Sequence, residues 1–167
     1  SLKKIDDAIE KLSHTLEDSV EKHLVSDVPV NAFLSGGLDS SLLVAIAKNK
    51  VENIDCYNIK FSDVDQKYEA NSDDSYYATK VAKKLNVKLN TLEVKPNLSN
   101  LLEKIVYYLD EPIGDSAAIN TYLICENAKN NGVKVLLSGM GSDEIFSGYR
   151  KHRALQIKSK LNFIPSG

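Results

Sequence analysis

The stretch VNAFLSGGLDSSLLVAIA, residues 30 to 47, constrains the fold most. A short apolar run, Val30 to Leu34, is long enough for one buried strand. SGGLDSS follows without a spacer. Leu42, Leu43, Ile46 and Ala47 then recur at helical spacing. A buried strand that passes through a two-glycine turn straight into a helix is the opening half of a strand–helix–strand unit. The remaining chain repeats that alternation. Asn53 to Phe61 and Lys88 to Val94 read as strands, and so does Val133 to Leu137. Between them, helices run from Asp74 or Ser75 to Leu85, from Pro96-Asn97 through Leu109, and from Ala117 to Asn130, where Asn131-Gly132 stops the last one. Leu98, Leu101, Leu102, Ile105, Val106 and Leu109 read as inward-facing, and Tyr107-Tyr108 as packing that helix on the sheet. Strands alternating with helices predict an α/β fold: three layers, α/β/α, around a mostly parallel sheet.

Residues 1 to 25 read as an amphipathic helix, with Leu2, Ile5, Ile9, Leu12, Leu16, Val20 and Leu24 on one face. It leads into a domain over residues 26 to 167, expected to be truncated at its C-terminus. The 167 residues suit one domain. A net charge of −2 offers no basic field for nucleic acid. No apolar run approaches the ~18 residues of a membrane span. Cys56 and Cys125 read as two buried free thiols in a reducing, cytoplasmic setting. Residues 62 to 74 carry five acids against one lysine and read as a solvated loop.

Ligands of such sheets bind outside the carboxyl ends of the strands. Two glycine-rich loops fall there. In the first, Gly36 and Gly37 let the backbone approach a ligand, and Ser35, Ser40 and Ser41 supply hydroxyls. The helix beginning near Asp39 aims free N–H groups at the same point, which suits an anion. The loop has no Walker lysine and no GxGxxG pattern. Asp39 beside a phosphate calls for a cation between them, and Mg²⁺ takes one or two carboxylates plus phosphate oxygens. The plainer reading is a strand-to-helix turn that Asp39 caps. The second loop, LSGMGSDEIFSGY at 137 to 149, adds Ser138, Gly139, Asp143 and Glu144. Asp39 and Asp143 share one Mg²⁺ if the loops face each other; otherwise Ser142-Asp143-Glu144 only caps a helix. His14, His23 and His152 are too scattered for a metal site. Arg150 to Arg153 reads as a solvated basic helix face.

SGGLDSS resembles the pyrophosphate loop of the PP-loop ATPases, the adenine nucleotide alpha hydrolase group. Together with DEPIGDSAAINTYLI and LSGMGSDEIFSGY, it resembles the synthetase domain of glutamine-dependent asparagine synthetases over residues 26 to 153. The resemblance implies an ATP- and Mg²⁺-dependent, AMP-forming carbon–nitrogen ligase. A carboxylate, aspartate in the family, is adenylated with release of pyrophosphate, and ammonia then displaces AMP. It also implies a glutaminase domain as partner, with no nucleic acid or membrane involved. By position, Ser35, Gly36, Gly37, Asp39, Ser40 and Ser41 would hold pyrophosphate. Asp39 and Asp143 would be the catalytic, magnesium-binding pair. Phe33 and Ile59 would border the adenine, and Ser138 and Gly139 would contact the nucleotide. Asp110, Glu111 and Asp115 would border the acceptor. Met140 stands where the family commonly carries an acid implicated in the ammonia step, and Ser147 replaces a usual glycine. Met140 keeps three readings open: asparagine formation, a β-lactam synthetase-like or other amide-forming relative, and a non-catalytic nucleotide-binding module.

Overall fold

The computed structural model describes residues 2–61, 74–94, 98–112, 114 and 116–160. Its elements run α1 (Leu2–His23), β1 (Val30–Phe33), α2 (Leu38–Lys50), β2 (Asp55–Phe61), α3 (Asp74–Leu85) and β3 (Lys88–Val94). They continue with α4 (Leu98–Leu109), α5 (Ser116–Asn130), β4 (Val135–Leu137), α6 (Ser142–Phe146) and α7 (Arg150–Lys160). The predicted alternation is present. The last strand is shorter than the apolar run suggests, because Val133 is spent on closing α5: its N–H donates to the Ala128 carbonyl at 2.9 Å, beside Gly132 at φ +80.

The strands form one sheet in the order β3-β2-β1-β4, with every adjacent pair parallel. The order reverses at β1. The chain builds outward from β1 through β2 to β3, then returns to add β4 on the other side. Cα registers of Phe33 with Tyr57 and Ala32 with Leu137 place the ends of β1 and β4 side by side. At the opposite end, Asn31 Oδ1 accepts the Asp55 N–H at 3.1 Å, and Lys88 donates to the Asp55 carboxylate at 2.9 Å.

Alternation along the strands sends side chains to two different layers. Val30, Ala32, Leu34, Ile54 and Cys56 pack with Val20, Val44, Ala47, Ala78 and Ala82, the inner faces of α1, α2 and α3. Phe33, Tyr57, Ile59 and Leu136 pack with Ile124 and Ala128 of α5. The three-layer arrangement follows from that division.

Two expectations change. α4 rests on α5, and of its apolar residues only Ile105 is buried among those described; Leu102, Val106 and Leu109 are exposed. Tyr107 is 78% exposed, and Tyr108 stacks on Tyr122 of α5 at 5.7 Å between ring centroids rather than on the sheet. The reason is layer order: α5 already covers the sheet face that α4 was expected to meet. Cys125 is also exposed, because its neighbour Ile124 takes the sheet-facing position on α5.

Two measurements test this core. Leu34 is fully buried while Leu38 is 81% exposed. Leu34→Ala is expected to lower the unfolding free energy by about 2–5 kcal/mol, and Leu38→Ala to stay within about 0.5 kcal/mol, both read from urea denaturation. Burial, with the Asp55 charge adding to it, pushes the Cys56 thiol up to about 12. The unfolded chain therefore releases this proton first, and Cys56 contributes stability that is lost as pH rises from about 9 toward about 12. The decline of stability with pH in that window is expected to be shallower in Cys56→Ala, by up to about 1.4 kcal/mol per pH unit.

Candidate nucleotide site at the ends of β1 and β4

The first loop leaves the sheet at Leu34, whose N–H makes the last rung to the Tyr57 carbonyl at 2.9 Å. Ser35 follows, then Gly36 at φ +82. A Cβ on Gly36 would lie 2.4 Å from the Ala78 nitrogen and 2.7 Å from the Tyr77 carbonyl carbon. Glycine is required twice over, for the left-handed backbone and for the direct seat on α3.

Gly37 is the N-cap of α2, and no side chain caps it. The nearby hydroxyls turn inward instead. Ser40 is buried; its Oγ accepts the Ser35 N–H at 3.2 Å, lies 3.0 Å from Ser35 Oγ and donates to the Gly37 carbonyl at 3.3 Å. Ser41 Oγ donates to the same carbonyl at 2.6 Å, and Gly37 N–H donates to Ser35 Oγ at 3.3 Å. The serines thus shape the turn from inside. That leaves the first turn of α2, which contains Asp39, as an N-terminus without a side-chain acceptor, the arrangement that binds anions.

The second loop leaves β4 at Ser138. Met140 N–H donates to Ser138 Oγ at 3.2 Å, and Ser142 Oγ donates to the Gly139 carbonyl at 2.9 Å. Gly141 at φ +95 turns the chain into α6, and Ser147 at φ +61 turns it out again. Asp143 lies in the first turn of α6. The two loops touch. A Cβ on Gly139 would sit 3.2 Å from Asp39 Cβ and 3.3 Å from the Ser40 nitrogen. Gly139 therefore brings the second loop against the start of α2, with Asp39 at the junction.

Sequence reasoning missed Gly148. A Cβ there would fall 1.8 Å from Asp143 Oδ1, so the Asp143 carboxylate occupies the space a side chain would need. Gly148 N–H also donates to the Asp143 carbonyl at 3.1 Å. The signal was the glycine-tyrosine pair closing the second motif, which spacing alone did not tie to Asp143. Beside it, the Tyr149 hydroxyl donates to Glu144 and holds that carboxyl below the usual carboxylate range.

Phe33 and Ile59 share the α5-facing side of adjacent strands, both half-buried. Ser35, Gly36, Gly37, Asp39, Ser40, Ser41, Ser138 and Gly139 gather at the loop junction, with Asp143 one short turn beyond. Asp110 and Glu111 are exposed just beyond the end of α4, and Asp115 lies outside the described residues. His14 and His23 sit on α1, and His152 on α7. Among the described residues, no group of three or more His, Cys, Asp or Glu side chains gathers as a metal cage would require. Asp39 in the first turn of α2 and Asp143 in the first turn of α6 are the carboxylates that could hold Mg²⁺ here, since that ion needs few protein ligands when phosphate oxygens complete its shell.

This layout, a parallel sheet with glycine loops meeting where the strand order reverses, defines an α/β fold of the NAD synthetase kind. The fold matches an ammonia-dependent NAD synthetase from Campylobacter jejuni, with a TM-score of 0.52 and 16% identity over 84% of this chain and 60% of that one. It also matches a glutamine-dependent NAD synthetase from Acinetobacter baumannii, solved with ADP, with a TM-score of 0.54 and 19% identity over 80% and 26%. The sequence goes further. The asparagine synthase family model matches residues 11–165, and the chain belongs to that family. It is 36% identical over 168 residues to a glutamine-hydrolysing asparagine synthetase of Bacillus subtilis, covering 97% of this chain and 25% of that protein. Asparagine synthetase B of Escherichia coli is 33% identical, with 83% and 27% covered. The chain spans about a quarter of the length of these curated relatives.

Gly148→Ala is expected to push the Asp143 carboxylate out of its seat while changing stability by no more than about 0.5 kcal/mol, because a flexible, only half-buried side chain can swing aside. Magnesium-dependent nucleotide binding should weaken with it. Urea denaturation and nucleotide titrations with and without Mg²⁺ check both effects.

Proposed function

We propose that this chain is the ATP-using part of an amide-forming synthetase. It adenylates a carboxylate, aspartate by family analogy, releases pyrophosphate, and lets ammonia displace AMP. The observation that carries the reading is the contact of Gly139 with Asp39 and Ser40, which joins the two family loops at the start of α2.

In this reading the β- and γ-phosphates lie on the uncapped start of α2, where backbone N–H groups of the first turn bind them. Ser35 and Ser40 hold the turn open from inside, and Ser41 closes it over the Gly37 carbonyl. Phe33 and Ile59 offer the base an apolar border on the other side of the sheet's edge, while Ser138 and Gly139 meet the nucleotide between them. Asp39 and Asp143 would hold Mg²⁺, which would supply charge neutralisation on the departing pyrophosphate. With the phosphates fixed, the substrate carboxylate attacks the α-phosphorus. The chain's contribution is positioning and preorganised N–H dipoles, the largest usual source of rate in phosphate chemistry.

Ammonia would come from a glutaminase domain of the full-length protein, as the names of the curated relatives suggest. The domain proper is taken as residues 26 to 167, with α1 leading into it, and its setting as the cytoplasm. Among the described residues, no helix is long and apolar enough to cross a membrane.

ATP–pyrophosphate exchange in the intact protein tests the reading. Asp39→Ala is expected to lower the exchange rate by at least about a hundredfold, and exchange equal to the unmodified protein would sink it. One observation favours a second acceptor: Met140, 82% exposed, puts an apolar side chain beside the loop junction. AMP release across a panel of carboxylates decides between them, and strong dependence on aspartate selects the first reading.

A further inference from the structure

Asparagine side chains on the sheet are mostly engaged. Asn31 Oδ1 accepts the Asp55 N–H at 3.1 Å, and Asn90 Nδ2 donates to the Cys56 carbonyl at 3.3 Å. Asn58 differs. It is 4% exposed, yet neither Nδ2 nor Oδ1 has a hydrogen-bond partner among the described residues. Buried carboxamides in folded proteins are almost always paired, because leaving such a group unpaired is strongly unfavourable.

Its place narrows what the partner is. Ile54 and Cys56 of β2 face the α2 and α3 layer, whereas Tyr57 and Ile59 face α5. Alternation puts Asn58 on the α2 and α3 side, away from Phe33 and Ile59. It follows directly on the last β1–β2 rung, from Leu34 N–H to the Tyr57 carbonyl. At that level β1 becomes the first glycine loop. On the same side, Gly36 presses on Tyr77 and Ala78 of α3. Asn58 therefore lies on the sheet face below the corner where the loop meets α3. A base bordered by Phe33 and Ile59 is on the wrong side to reach it. A phosphate oxygen only accepts, and would leave Oδ1 unmatched. A single water molecule both donates and accepts, and so can match both carboxamide atoms.

We propose that Asn58 is a positioning residue for the phosphate-binding loop: its carboxamide fixes an internal water that bridges β2 to the backbone of residues 35 to 37. Asn58 then sets the affinity for the phosphate end of the nucleotide and leaves base recognition alone. The inference rests on the ATP reading above.

Asn58→Val and Asn58→Thr in the intact protein test it, because the two replacements share shape and strand preference and only threonine keeps a hydroxyl. Asn58→Val is expected to weaken inorganic pyrophosphate binding and raise KM for ATP by about five- to tenfold. The kcat, the KM for the carboxylate acceptor and the affinity for adenosine should be unchanged, and Asn58→Thr should recover most of the loss. Equal pyrophosphate affinity in the two variants overturns the proposal, as does a parallel loss of adenosine affinity. If the valine variant does not fold, Asn58→Ala against Asn58→Ser makes the same comparison. An unmodified protein that binds neither pyrophosphate nor ATP removes the ATP reading and this inference together. Binding by the unmodified protein that both variants match removes only the role of Asn58.

Discussion

The structure depends on one pairing, β1 with β4 in parallel. β1 is central, and its other neighbour, β2, is reached early in the chain. β4 arrives only after three further helices and β3, and closes the sheet on the far side of β1. Their carboxyl ends then lie adjacent, and each continues into a glycine loop. Neither loop is a site alone. The first is a helix start without a side-chain cap; the second supplies carboxylates on a five-residue helix too short to bind an anion by itself. Pairing the strands brings the two turns together, and glycine at 139 lets them come within van der Waals contact.

Much of this was legible in the chain. The strands, three to seven residues long, were visible as runs of five to nine residues, and the helices as periodic segments between turn residues. SGGLDSS announced its own turn, because two glycines between a strand and a helix leave little other geometry. What one chain in one dimension does not reveal is partnership. Gly36 is legible as a turn glycine, but its seat on Tyr77 and Ala78 links residues far apart in sequence. Gly148 is legible only as a loop glycine until the Asp143 carboxylate is seen filling its side-chain space.

The misreadings have a common cause. Amphipathicity shows that a helix has an apolar side, and not which layer that side meets. α4 has a clear apolar face, but α5 stands between it and the sheet, so Val106 and Tyr107 are left outside. Cys125 misled in the same way: an apolar stretch on α5 includes residues on both of its sides, and Ile124 and Ala128 are the ones that pack on Tyr57 among the described residues. Asn58 is the reverse case. Nothing in the strand sequence CYNIKF singles it out, and it is among the most enclosed polar groups described.

The placement of Asp39 ties the electrostatics together. A carboxylate in the first turn of a helix is favoured by the partial positive charge of that helix end. Without ligand, Asp39 therefore helps to hold α2 in place, and Gly139 packs against its stem. In the proposed reaction, phosphate oxygens compete for the same N–H groups, and the favourable charge becomes a repulsive one. In that reading Asp143, reached through the second loop, would add to the repulsion unless a divalent cation sat among the three. The pair would then make anion binding conditional on a metal. Neutralising Asp39 would relieve the repulsion while removing a proposed magnesium ligand, which would separate simple anion binding from catalysis at this site.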